Sequence, residues 1–363
     1  MNIMHCFQGD SKMKSSIKHK IDKYNLLLLI LLLLLIGLVI AWKMPQKEDQ
    51  YIHVGIAVYD RNDTFMESYI RELEDKIGQS KMQGKKVSYD VYDAEGISSR
   101  QEKQLQEMYA QDYDVMLVNL VEPASAASVL NDAKDADIPV ILFNREIDEK
   151  DLKISKNVWY VGTDARAAGV MQGELLKALW KKQSKTLDWN GNGMLDYVLV
   201  EGEESHFDAI RRTSGFLEAG TELPLNQKGN ILAEWKRELA YEKFAALDEV
   251  TIQNVEAVIC NNDDMALGVY DYYKEKKLKL PVIIGINNSE EMHQKILAGE
   301  IYGTLDNKME DQVEGNGGSL CDATHFAEEE ICRLMRKILK QDTEAQQKVW
   351  YSTPQAVVKQ NGE

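Results

Sequence analysis

From residue 53 onward, short runs of consecutive apolar residues alternate with longer stretches in which apolar residues recur every three or four positions. The runs 53–59, 115–118 and 140–143 are too short for buried helices and rich in branched side chains, so they predict fully buried parallel strands. A further strand is predicted over 87–92, with helices over 64–77, 98–111 and 124–136. The pattern then restarts, with strands expected at 158–161, 197–200, 257–260 and 282–286 and an extended segment at 302–305. Helices are expected at 167–180, 207–219, 265–276, 290–298 and 327–339. Such alternation implies right-handed βαβ crossovers, hence an α/β fold of two doubly wound parallel-sheet lobes joined by a hinge. We expect a first lobe over 51–144, completed by about 308–345, and a second over 145–307, completed by about 346–363. Residues 310–324 read as an insertion. Two such lobes leave a cleft at the carboxyl ends of their strands, where ligands of these sheets bind.

The amino-terminal pattern differs. Residues 26–42 form an unbroken apolar run of 17 residues, preceded by Lys12, Lys14, Lys18, Lys20 and Lys23. That is an export or anchoring signal with its positive side kept in the cytoplasm, at the lower length limit for crossing a bilayer. No small-x-small cleavage site follows it, and the nearby cysteine, Cys6, precedes it. The expectation is a cytoplasmic leader (1–25), an uncleaved transmembrane helix (26–42) and a short tether (43–50), which place the lobes outside the cytoplasm.

Composition narrows the function. With 59 acidic against 43 basic residues the formal charge is -16, and no basic patch interleaved with aromatics is present to favour nucleic acid. The four cysteines have neither metal-ligand spacing nor disulfide-scaffold density.

The most specific chemistry lies in Asp188-Trp189-Asn190-Gly191-Asn192-Gly193-Met194-Leu195-Asp196. Oxygen side chains at alternate positions and a glycine bend that frees the Met194 carbonyl are the opening of an EF-hand-type calcium loop. The twelfth position, where a complete loop carries a bidentate glutamate, is Leu199. A calcium reading therefore needs a carboxylate from elsewhere in the chain; the alternative is an Asn/Gly-rich turn into a strand. Polar residues also gather where the predicted strands stop: Asp63 with Phe65, Asn119, Asn144, His206 with Asp208, Asn261-Asn262-Asp263, Asn287 and Asn307. Singly these are helix caps or loop residues. Together, with Phe65 and Trp235 available for stacking, they suit a neutral polyhydroxyl ligand.

Residues 59–66, Val118-Asn119-Leu120-Val121-Glu122-Pro123-Ala124, Phe143-Asn144-Arg145-Glu146, Tyr160-Val161-Gly162-Thr163-Asp164, Ser205-His206-Phe207-Asp208 through Arg212-Thr213, and Cys260-Asn261-Asn262-Asp263 through Gly268 resemble the galactose/glucose-binding periplasmic proteins. The resemblance runs in order from about residue 54 to 307, with the cation loop between the same two motifs. It implies Glu256 as the remote calcium ligand, joining Asp188, Asn190, Asn192, Met194 and Asp196. It also implies hexose contacts from Asp63, Asn119, His206, Asp208, Arg212, Asn262, Asn287 and Asn307, with Phe65 and Trp235 on the two sugar faces. Asn287 departs from the pattern, standing where the family has aspartate.

The expected protein is thus a monomeric, membrane-anchored hexose-binding component of an ABC sugar transporter, carrying Ca2+. The alternative is a subunit presenting bound sugar to a histidine kinase or chemoreceptor. An enzyme reading would need Asp63 and Asp208 as an acid/base pair, but no supporting nucleophile motif is present. A sugar-responsive repressor would carry a helix-turn-helix where this chain has its apolar run.

Overall fold

The computed structural model describes residues 30–32, 34–35, 51–307, 326–340 and 348–359. The chain divides into two units, 1–50 and 51–363. In the first, the described residues Ile30, Leu31, Leu32, Leu34 and Leu35 are helical and exposed. Among the described residues no helix is long and apolar enough to cross a membrane. Most of the apolar run, together with the leader, the tether and the 310–324 segment, lies outside the described residues.

The second unit contains both lobes. The first sheet is built from β1 (Tyr51–Val58), β2 (Lys81–Met82), β3 (Lys85–Asp93), β4 (Val115–Val118), β5 (Val140–Phe143), β6 (Val158–Thr163) and β12 (Val349–Ser352), in the order β12-β6-β5-β4-β1-β3-β2. All its pairings are parallel except the β2–β3 hairpin. The second sheet has the order β13-β11-β10-β9-β7-β8, from β7 (Leu195–Glu201), β8 (Leu225–Leu232), β9 (Ala257–Cys260), β10 (Val282–Ile284), β11 (Gly303–Asp306) and the antiparallel β13 (Gln355–Val358). The central strands β4, β5 and β9 are buried at every residue, as strands covered on both faces by helices must be.

The lobe boundary lies later than the sequence pattern places it. Strand β6 pairs with β5 and β12 in the first sheet, although the hydrophobic restart at 158–161 reads as the opening of the second lobe. The physical reason is the connection: β5 and β6 are joined by an irregular segment whose only helical turn is the 3-10 turn Asp151–Lys153, so no crossover helix marks their kinship. The carboxyl terminus is likewise shared, β12 closing the first sheet and β13 the second. The chain therefore changes lobes three times, after Thr163, between β11 and β12, and after Ser352, with Asn307 ending the long described run. These three points are stitched together: Thr163 Oγ1 lies 3.0 Å from Ser352 Oγ, and both hydroxyls donate to the Asn307 carbonyl, at 3.2 and 2.7 Å.

Two helices of the second lobe, α4 (Ala165–Leu187) and α5 (Phe207–Ala219), cross with their backbones in contact. A Cβ at Gly169 would stand 1.9 Å from the Arg212 carbonyl oxygen, and one at Gly215 would stand 2.3 Å from that of Arg166. Glycine is therefore required at the crossing, which fixes the amino-terminal turn of α5 against the cleft.

Candidate functional site

The cleft pocket is assembled from turns at the carboxyl ends of strands in both lobes. From the first lobe, β1 leads to Tyr59 and then to Asp63, which caps helix α1 (Thr64–Gln79) by accepting the Met66 N–H at 2.9 Å. Phe65 lies in the first turn of that helix, half-buried against the core. After β5 come Asn144, held at φ +63°, and Arg145, whose guanidinium lies 3.8 Å from the centre of the Tyr59 ring.

The second lobe supplies the rest. His206 caps α5, its Nδ1 accepting the Asp208 N–H at 3.1 Å; that assigns the proton of the neutral ring to Nε2, leaving a donor for the pocket. Burial, reinforced by the charges of Arg145 and Arg212, drives the His206 pKa well below its usual range. Asp208 and Arg212, one helical turn apart on α5, are both buried, with a closest N–O approach of 4.0 Å. Burial pulls their pKa values toward the neutral forms, and each carries a buried atom with no hydrogen-bond partner among the described residues, Asp208 Oδ1 and Arg212 Nε. Buried polar atoms of this kind are rare in folded proteins.

The Trp235 ring lies against Gly202, where a Cβ would meet it at 2.3 Å. His206 packs edge-on to it at 5.1 Å, and the Arg212 guanidinium lies 5.5 Å from its centre. The backbone there is left-handed at Glu234 and Trp235 (φ +50° and +66°), conformations that cost energy in residues other than glycine and collect at functional sites. Asn262, the cap of helix α8 (Asp263–Lys276), holds this turn by donating to the Trp235 carbonyl at 3.0 Å. Asn287, also at positive φ (+127°), accepts from Asn307 Nδ2 at 3.1 Å, and Asn307 Oδ1 is buried without a partner among the described residues.

Asp63, Phe65, His206, Asp208, Arg212, Trp235, Asn262 and Asn287 all line one pocket. Asn307 stands directly behind Asn287. Asn119 lies outside the lining: it is fully buried, donates to the Phe143 carbonyl at 3.0 Å and accepts the Tyr59 N–H at 3.4 Å, so it supports the pocket wall. Tyr59, Asn144 and Arg145 line the pocket although they were absent from the expected contacts. Their signal was in the sequence, since Tyr59 and the Asn144-Arg145 pair follow directly on buried strands.

The acidic loop lies at the other end of the second sheet. It precedes β7, whose carboxyl end feeds the pocket, and seven residues of strand separate the two by about 20 Å. Asp188 Oδ1 and Oδ2 accept the N–H groups of Asn192 and Gly193, and Asn192 Oδ1 accepts that of Met194. Glu256, fully buried just before β9, takes the N–H groups of Trp189 and Asn190 on Oε1 and of Asp196 on Oε2. Asn190 and Asn192 turn their amide nitrogens to Asp196 Oδ2. Burial, with the nearby Asp188 charge, raises the Glu256 pKa. Among the described residues no three His, Cys, Asp or Glu side chains gather as a ready metal cluster. The donor set is nonetheless all hard oxygen once the two amides rotate, which is the chemistry that suits calcium.

Comparison with known proteins agrees with this architecture. A profile of the periplasmic binding protein domain matches residues 54–315. The chain is 33% identical over 260 residues to the D-galactose/methyl-galactoside binding periplasmic protein MglB of Haemophilus influenzae, covering 69% of this chain and 75% of that one. It is 26% identical over 248 residues to the galactofuranose-binding protein YtfQ of Escherichia coli, covering 66% and 74%. Among solved structures, the fructose binding periplasmic domain of a hybrid two component system superposes with a TM-score of 0.67 at 18% identity, covering 85% of this chain and 90% of that one. Two wound lobes, shared terminal strands and an interlobe pocket accompany these matches, and the chain belongs to the periplasmic binding protein family.

Proposed function

We propose that the protein is an extracytoplasmic hexose-binding protein, taking D-galactose or D-glucose, and the substrate-binding component of an ABC sugar transporter. The observation that carries the reading is the convergence, in one pocket from two lobes, of two aromatic rings and His206 with Asp208 and Arg212, whose Oδ1 and Nε are buried without partners among the described residues. Directional donors and acceptors lining the pocket fit a neutral sugar, whose C–H faces would pack on Phe65 and Trp235. Binding and lobe closure are the activity, and no covalent step is required of any residue. Asn287 presents an amide where the resemblance to the galactose/glucose-binding proteins implies an aspartate, and it would donate to a sugar oxygen as well as accept.

In this reading Asp188, Asn190, Asn192, the Met194 carbonyl, Asp196 and Glu256 hold one structural calcium ion. The apolar run 26–42 would anchor the protein, with a tether reaching at most roughly 25 Å from the bilayer. That apolar run favours a second reading, in which the lobes present bound hexose to a membrane histidine kinase or chemoreceptor, because tethering raises the effective concentration toward one membrane partner. Deleting the gene separates the two. Loss of D-galactose and D-glucose uptake is expected, with sugar-dependent transcription intact; the opposite pattern would replace transport with sensing, and no change in either would remove both.

A further inference from the structure

The two lobes meet at a second, charged contact beside the pocket. Arg145 and Glu146, adjacent in the first lobe after β5, have opposite charges and face the reciprocal pair Glu203 and Arg211 of the second lobe. Arg145 donates to Glu203 Oε1 at 2.9 Å and to the Val121 carbonyl at 2.7 Å while its guanidinium covers Tyr59. The Glu146 carboxylate accepts from Arg211 and from the hydroxyl of Tyr351, on the terminal strand of its own sheet. In both pairs the first-lobe side chain is buried, 4% and 3% exposed, and its partner is 37% exposed. A buried charge of this kind is stable only while its partner is present, so opening the cleft would leave Arg145 and Glu146 to find water instead.

The contact is also connected to the ligand. Arg145 forms part of the pocket wall, and the Glu146 N–H faces the Asp208 carboxylate. Glu203 borders the two outer cavities that flank the pocket, without lining the pocket itself. We propose that Arg145 and Glu146 form an interlobe clamp, positioning residues whose reciprocal ion pairs with Glu203 and Arg211 hold the cleft closed over bound sugar and set its rate of release. The proposal rests on the hexose-binding reading for its ligand, while lobe closure can be measured without any ligand.

The test uses the full-length chain in detergent, with Glu203→Gln as the main variant because Glu203 is partly exposed and outside the pocket. Stopped-flow measurement of D-galactose release is expected to show a rate about fivefold to tenfold above wild type, with association within twofold, because cleft opening lets the unpaired Arg145 reach water. Glu203→Asp, which keeps the charge, is expected to recover most of the slow release. For closure, spin labels at Glu102→Cys and Val250→Cys, one exposed position on each lobe, report the interlobe distance, with Cys6 and Cys321 replaced by serine. Without sugar, the closed-distance population should fall at least threefold in E203Q. Release within twofold of wild type would overturn the clamp, as would E203D behaving like E203Q. So would a ligand-free wild-type chain with no closed population, or one that E203Q leaves unchanged. A chain that binds no hexose would refute the preceding reading, yet the distance comparison would still decide the clamp.

Discussion

Asp208→Ala is expected to weaken D-galactose binding by at least about 100-fold, the largest loss of any single side chain in the pocket. Asp208 sits in the first turn of α5, beside the helix amino terminus, where a carboxylate is favoured. One of its oxygens has no partner among the described residues, and the other faces Arg212. Removing the carboxylate deletes an acceptor for sugar hydroxyls and leaves the buried Arg212 charge uncompensated. Breaking a buried pair in this way costs about 3–5 kcal/mol, or more than 100-fold when most of it falls on the bound state. Asp208→Asn keeps the shape and one acceptor oxygen, so its loss should be several-fold smaller. Calorimetry on both variants, with melting curves to separate binding from folding, checks this; D208A binding within tenfold of wild type would exclude Asp208 from the ligand contacts.

The proposed calcium site gives the second large expected effect. The 188–196 loop has two carboxylates of its own, Asp188 and Asp196, and closes on the buried Glu256. Binding of an ion there would offset the mutual repulsion of the three groups. At ion concentrations near 1,000 times the dissociation constant, such binding stabilises by about 4 kcal/mol. In a domain of this size that corresponds to a melting temperature about 10 °C higher. EDTA is therefore expected to lower the melting temperature by about that amount while D-galactose affinity changes by less than threefold. The asymmetry follows from position, since the loop and the pocket occupy opposite ends of β7. An unchanged melting temperature, with no calcium in the purified protein, would leave the loop as a hydrogen-bonded turn.

How much of this was legible in the sequence depends on the residue. The buried parallel strands β4, β5 and β9 are continuous apolar runs, and nothing competes with that reading. Strand β8 is different: Leu225–Leu232 is an edge strand with Asn226, Gln227, Lys228 and Asn230 among its eight residues, so its pairing with β7 leaves no hydrophobic signature. Strand β6 has a clear signature, but lobe membership depends on pairing, and pairing is set by partners far away in sequence, including Trp350 and Tyr351. In the pocket, residues at strand ends were identifiable as a set, since each alone also serves as a helix cap or loop residue. Their division of labour was not. Asn119 and Asn262 look alike in sequence, yet the first hydrogen-bonds the backbone beneath Tyr59 while the second lines the cavity and steadies Trp235. Arg145 gained its place through Tyr59, a neighbour only once β1 and β5 share a sheet, and through Glu203, a contact that exists only once the two lobes meet.

Titration calorimetry of the purified full-length chain tests most directly whether this cleft binds a hexose. D-galactose or D-glucose should bind at one site per chain with a measurable heat, D-ribose and L-arabinose at least about tenfold more weakly, and Trp235→Ala should remove most of the affinity by taking away one stacking face. No heat with either hexose, or a Trp235→Ala chain that binds as tightly as wild type, would contradict the account.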